Sequence, residues 1–230
     1  MNTFATVELL EARIAPATLV KPNLVTFTDV DGDAVTIKIN KGSLELAANF
    51  TFVPSGAGEQ LQLVSLTDPA FEGTNLSITA KRGDSGDGFV NVGAVDAMGR
   101  NLGTVKVGGD LGRITVGSDD PGKAALKKLD VRSMGEFGIS TQAAASLLSE
   151  ITGGLGALMV FGNLREVHLQ VAGANAEIGK VTVGGSIIGA AGAFSGYIES
   201  AGDIGSVIVK GNIVGASGPT SGAIGADGKI

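Results

Sequence analysis

In the C-terminal third of the chain, branched aliphatic residues recur two apart in short runs, and glycine follows within a residue or two of Val183, Ile188, Val209 and Val214. Val181 and Val183 flank Thr182, and Val207 and Val209 flank Ile208. A period of two predicts short strands with one buried face. Ile187-Ile188, Ile213-Val214, Ile198 and Ile224 supply further short apolar segments. The phrase Ile178-Gly-Lys-Val-Thr-Val-Gly-Gly-Ser-Ile-Ile-Gly-Ala returns 26 positions on as Ile204-Gly-Ser-Val-Ile-Val-Lys-Gly-Asn-Ile-Val-Gly-Ala. Residues 178–203 laid over 204–229 agree at 13 of 26 positions, almost all of them Gly or branched aliphatic, and Ile230 falls where a third copy would open. Weaker echoes start at Leu102-Gly-Thr-Val-Lys-Val, Leu111-Gly-Arg-Ile-Thr-Val, Leu126-Lys-Lys-Leu-Asp-Val and Leu164-Arg-Glu-Val-His-Leu.

A strand of three or four residues is not stable alone, and one 26-residue unit cannot close a core. Stacking such units solves both problems. Each strand then pairs in parallel with its counterpart one unit away, and equivalent aliphatics pile into interior ladders. The expected fold is therefore all-β: a parallel β-solenoid, a right-handed β-helix with two or three short strands per coil. A flexible glycine-rich linker would have no reason to keep aliphatics in register.

Two regions depart from this pattern. Ser140-Thr-Gln-Ala-Ala-Ala-Ser-Leu-Leu-Ser-Glu-Ile-Thr152 contains strong helix formers, with Ala144, Leu147, Leu148 and Ile151 at helical spacing and Gly153-Gly154 as a stop. It predicts one amphipathic helix inserted between coils near 140–152. Upstream, Val25-Thr-Phe-Thr-Asp and Ala34-Val-Thr-Ile-Lys-Ile-Asn40 alternate strictly around Asp29-Val-Asp-Gly-Asp33, which predicts a hairpin. Leu44–Val53, Gln60–Leu66 and Asn75–Lys81 continue as expected strands, and Phe89–Val95 leads into the first coil. The organisation expected is a leader at 1–20, an antiparallel β cap domain at 21–100, and solenoid coils with the helical insertion at 101–230. A cap covers the apolar end and open strand edge of the first coil.

Composition narrows the function classes. Of 230 residues 37 are Gly, about twice the usual share, while apolar content stays ordinary at 43%. That excludes a disordered tail, and the absence of a Gly at every third position excludes collagen. No apolar run is long enough for a membrane-spanning helix. Zero Cys removes disulfides and thiolate metal sites. A net charge of −6 argues against nucleic acid and anionic lipid as partners.

Candidate chemistry is sparse. Gly117-Ser-Asp-Asp-Pro-Gly-Lys-Ala124 nearly spells a phosphate-binding loop, but Ala124 stands where a hydroxyl must hold Mg²⁺, and Asp119 and Asp120 would place negative charge in the cradle. It is expected to be a solvent-facing turn. Asp29, Asp31 and Asp33 put three carboxylates within five residues, a set whose repulsion a calcium ion would relieve, although the spacing is not that of an EF-hand. The other reading of that stretch is an Asp-Gly turn with hydrated acids. Asp84-Ser-Gly-Asp-Gly88 is a thinner version of the same pattern. His168, the one imidazole, sits between Val167 and Leu169 and should face solvent from a strand. Polysaccharide-cleaving β-helices need clustered acids or a basic residue with aromatics for sugar stacking, and here Arg165, Tyr197, Glu199, Asp203 and Asp227 are the thin supply. No catalytic residue and no organic cofactor is therefore expected.

Glu11-Ala-Arg-Ile-Ala-Pro-Ala17, preceded by Leu9-Leu10, resembles the N-terminal leader motif of very long β-strand repeat proteins of planctomycete and verrucomicrobial bacteria. The Leu-Gly-x-Val-x-Val-x-Gly-x-Ile phrase is similar to the repeats that fill those proteins. The resemblance implies an extracellular or cell-surface repeat protein whose leader serves in sorting. Residues 1–20 lack the basic start and unbroken apolar stretch of a secretory signal. The expected function is thus non-enzymatic: a rigid scaffold for surface display or extracellular assembly, self-associating or continuing into a longer repeat array. The alternatives are an adhesin-like module that binds glycan or calcium through the cap loops and, further off, a polysaccharide-cleaving β-helix enzyme.

Overall fold

Strict alternation in the N-terminal part builds an antiparallel set of strands. In the computed structural model, which describes residues 16–118, 120, 122–142 and 146–230, these are β1 (Thr18–Lys21), β2 (Leu24–Thr28), β3 (Ala34–Ile39), β4 (Phe50–Ser55), β5 (Gly58–Ser65) and β6 (Leu76–Lys81). Residues 1–15, with most of the leader motif, lie outside the described residues. β2 and β3 pair antiparallel around the Asp29–Asp33 turn, with Val25 opposite Ile37 and Phe27 opposite Val35. β3 pairs antiparallel with β6, and β4 with β5. The strand expected over Leu44–Val53 begins only at Phe50. Leu46–Asn49 forms instead one helical turn (α1), closed by Asn49 N–H to Glu45 O at 2.9 Å. Leu46-Ala-Ala-Asn has no β-branched residue to favour an extended backbone there.

From this point pairing turns parallel. β7 (Val92–Met98) lies parallel to β5, and β8 (Leu102–Gly117) is parallel to both β6 and β7. β9 (Ala124–Met134), β10 (Leu148–Thr152), β11 (Gly154–Val160), β12 (Leu164–Arg165) and β13 (His168–Ala172) follow. The chain ends with β14 (Ile178–Val183), β15 (Ile187–Ile188), β16 (Tyr197–Ser200), β17 (Val207–Val209), β18 (Ile213–Val214) and β19 (Ala223–Ala226). Each strand from β10 to β16 pairs in parallel with the strand three places on. The result is a nearly all-β chain in one mostly parallel sheet.

The expected helix over 140–152 is corrected in its described part. Residues 148–152 are the strand β10, parallel to β8 and β13, while residues 143–145 lie outside the described residues. Ser149 and Ile151 point inward and Leu148, Glu150 and Thr152 outward, a period of two and not 3.6. Tertiary pairing decides the matter: Ile151 stands between Val116 and Val171, and Ile114 N–H donates to Ser149 Oγ at 3.1 Å.

The core consists of in-register ladders. Leu102, Leu126, Leu155, Ile178 and Ile204 are successive cross-strand neighbours, none more than 1% exposed. A second ladder runs Leu76, Val105, Leu129, Leu158, Val181, Val207, and a third Ile78, Val107, Val131, Val160, Val183, Val209. One hydrophobic cluster extends from Val25 to Ile204. β17, β18 and β19 each pair on one side only among the described residues, so Val207 and Val209 are only half-buried where Val181 and Val183 are fully covered. Among the described residues no helix is long and apolar enough to cross a membrane.

Candidate functional site

Two places gather polar side chains. The first is the β2–β3 turn. Asp29, Asp31 and Asp33 each offer a carboxylate oxygen within 4.8 Å of the others, with Asp29 and Asp33 buried. The turn closes on itself: Asp33 N–H donates to Asp29 Oδ1 at 2.8 Å. The 82–88 loop, which carries the second acidic phrase, folds over it. Gly83 N–H donates to Asp33 Oδ1 at 2.7 Å, Gly88 N–H to Asp33 Oδ2 at 2.5 Å, and Asp87 N–H to Asp31 Oδ2 at 3.0 Å. Ser85 Oγ donates to Asp31 O at 2.7 Å. Gly86 is required here, because a Cβ at that position would collide with Asp33 Oδ1. The carboxylates of Asp84 and Asp87 do not join the trio.

Electrostatics follow from that packing. Burial first, then the hydrogen bond and charge of Asp31, push the Asp29 carboxyl up to about 7. Asp31 Oδ1 is enclosed and accepts no hydrogen bond from an N–H or hydroxyl of the described residues, which leaves the Asp29 carboxyl as its polar neighbour. Each oxygen of Asp33 accepts one backbone N–H, as do Asp29 Oδ1 and Asp31 Oδ2, and each of these oxygens keeps a further lone pair. The arrangement latches two loops together and can present hard oxygen ligands to a cation such as calcium.

The second place is the outward face of β13 and β16, which stand in parallel register with His168 beside Tyr197 and Gln170 beside Glu199. Their inward neighbours Leu169 and Ile198 are core, so alternation turns these four outward. His168 Nε2 lies 2.9 Å from Glu199 Oε1, and Gln170 Nε2 donates to the same oxygen at 2.7 Å. Phe194 lies over both rings. Ring centroids are 5.1 Å apart for His168–Phe194, 5.7 Å for His168–Tyr197 and 5.8 Å for Phe194–Tyr197, with interplanar angles of 17–29°. His168 thus faces outward, as the alternation requires, yet its side chain is only 19% exposed. Burial, then the charges of Glu199 and Asp227, hold the Tyr197 phenol above its usual value.

The remaining sequence candidates do not converge with these. Arg165 Nε faces Glu136 at 3.5 Å, and Asp203 Oδ1 accepts from Lys229 N–H at 2.8 Å. In the loop resembling a phosphate cradle, Asp120 accepts from Gly122 N–H at 2.9 Å and pairs with Lys123 at 3.2 Å, while Asp119 lies outside the described residues. That lysine is engaged by Asp120 and Glu72. Phe194 and Gln170 were not singled out from sequence, because only register brings them beside Tyr197 and Glu199. Comparison of the chain with protein-family models, with curated proteins and with solved structures finds no match to any of the three.

Proposed function

We propose that the chain is a β-solenoid, a parallel β-helix, acting as a non-enzymatic scaffold for surface display or extracellular assembly. The observation that carries this reading is the ladder Leu102–Leu126–Leu155–Ile178–Ile204, five aliphatics stacked in parallel register along one direction. Such a ladder adds length per coil through backbone hydrogen bonds and a continuous aliphatic core, and nothing in it serves catalysis. The similarity of the leader and of the Leu-Gly-x-Val phrase to planctomycete and verrucomicrobial repeat proteins supports the same reading. The one-sided strands β17–β19, with Ile213 50% and Val214 45% exposed, are where a further coil or a second copy would stack. Sedimentation velocity tests this. Mean mass should rise with protein concentration and fall back in Ile213→Lys, whereas a monomer at every concentration would refute self-association.

A second reading places calcium at Asp29, Asp31 and Asp33. Its support is the enclosed Asp31 Oδ1, which no N–H or hydroxyl of the described residues reaches, within 4.8 Å of the Asp29 and Asp33 carboxylates, a set that a divalent cation would satisfy. A calcium-dependent rise in melting temperature, lost in Asp31→Asn, is the expected result; identical melting in calcium and in chelator rejects it.

A further inference from the structure

The residues on the β13–β16 face exceed what the fold needs. Laying the two 26-residue segments over each other sets Phe194 against Thr220, Tyr197 against Ala223 and Glu199 against Gly225. The backbone is the same in both: Phe194 has φ +58° and Thr220 φ +55°, and β16 and β19 pair residue for residue. Small residues therefore satisfy this geometry, and the earlier segment carries two aromatics and an acid in their place. Phe194 is the sharper case. Its positive φ strains it no more than the β-branched Thr220 is strained at the equivalent place, but Phe194 is a large apolar residue held 43% exposed. Gly225 complements it, since a Cβ there would collide with the Tyr197 hydroxyl.

We propose that His168, Phe194 and Tyr197, together with Gln170 and Glu199, form a binding site for a neutral oligosaccharide. At centroid separations of 5.1–5.8 Å nearly parallel rings overlap only in part, and Phe194, 43% exposed, is the member most open to the C–H face of a sugar. Next to them stand a planar carboxylate and a planar amide, already joined through Glu199 Oε1, which suit vicinal hydroxyls. Glu199 Oε2 takes no hydrogen bond from the described residues. The rings border two clefts. One, of about 210 Å³, is lined by Gln170, Tyr197, Glu199 and Asp227; the other, of about 330 Å³, by Ile139, Leu147, Glu166, His168 and Phe194. Glu166, Glu199 and Asp227 make the surroundings acidic, which disfavours uronic acids. Rings within 29° of parallel do not enclose a point as a cage for a quaternary ammonium must.

Tyr197 is the single Tyr in a chain without Trp, so intrinsic fluorescence reports this site alone. The test is titration of the full chain with cellohexaose, mannohexaose and hexa-N-acetylchitohexaose, with trigalacturonate and choline as charged probes. The expected result is a saturable emission change with at least one neutral hexaose. Phe194→Thr and Glu199→Gln should each weaken that binding about tenfold, a change of about 1.4 kcal/mol. Phe194→Thr installs the residue found at the equivalent position, so unchanged melting separates lost binding from lost folding. No saturable response to any neutral hexaose up to about 10 mM, far above a millimolar Kd, overturns the proposal. So does a response to trigalacturonate or choline alone, or full affinity in Phe194→Thr.

Discussion

Val181 stands in parallel register with Val207, the residue 26 positions on, and the same ladder continues backward through Leu158, Leu129 and Val105. Ile208, one residue from Val207, points the other way and is 46% exposed. The contrast between these neighbours is the physical content of the alternation.

It makes a stability prediction. Leu158→Ala removes a wholly buried side chain flanked in its ladder by Leu129 and Val181, and should cost about 2–5 kcal/mol. Ile208→Ala should stay within about 0.5 kcal/mol. Urea denaturation of both variants measures the difference, and equal losses would contradict the inward–outward assignment.

The latch between the β2–β3 turn and the 82–88 loop rests on Asp33. Asp33→Ala leaves the Gly83 and Gly88 N–H groups without their acceptor and should destabilise the chain by about 1–3 kcal/mol. Amide hydrogen exchange should accelerate at 83–88 while Val181 and Val183 keep their protection. Uniform acceleration across the chain would show that the loop is not a local unit.

Tyr197 should titrate late. Its folded pKa lies above the unfolded value of about 10, so the folded state keeps the phenol proton where the unfolded chain has lost it. The associated stability is fully present below pH about 10 and disappears as pH climbs through the folded pKa. Ultraviolet difference absorbance should give a midpoint above that of the urea-unfolded chain. Glu199→Gln should lower it by removing a nearby negative charge. A midpoint equal to the unfolded one would mean that the ring is not covered.

Much of the parallel register was legible because Ile178 and Ile204 head phrases of equal length. Elsewhere the ladder is stepped unevenly: 102, 126, 155, 178 and 204 differ by 24, 29, 23 and 26. Constant hydrogen-bonding geometry with variable chain between rungs leaves only degenerate echoes in sequence. Leu147, Leu148 and Ile151 satisfied a helical spacing by coincidence, and the parallel neighbours of β10, which no local pattern reveals, override it. The Asp29–Asp33 turn was plain from composition, but its partner loop lies some fifty residues away, as Gly83 and Asp33 illustrate. The aromatic cluster is hidden in the sequence for the same reason, since His168 and Tyr197 meet only once β13 and β16 are aligned.

The longest step, from Leu126 to Leu155, contains an excursion tethered at its start by Asp110, whose buried carboxylate accepts from Ser133 Oγ at 2.7 Å and Glu136 N–H at 3.1 Å. Rungs on either side of it remain aligned. Foreign peptide inserted beside Gly138, with that glycine kept for its positive φ and its open surroundings, should be carried outward as cargo without disturbing the strands beneath.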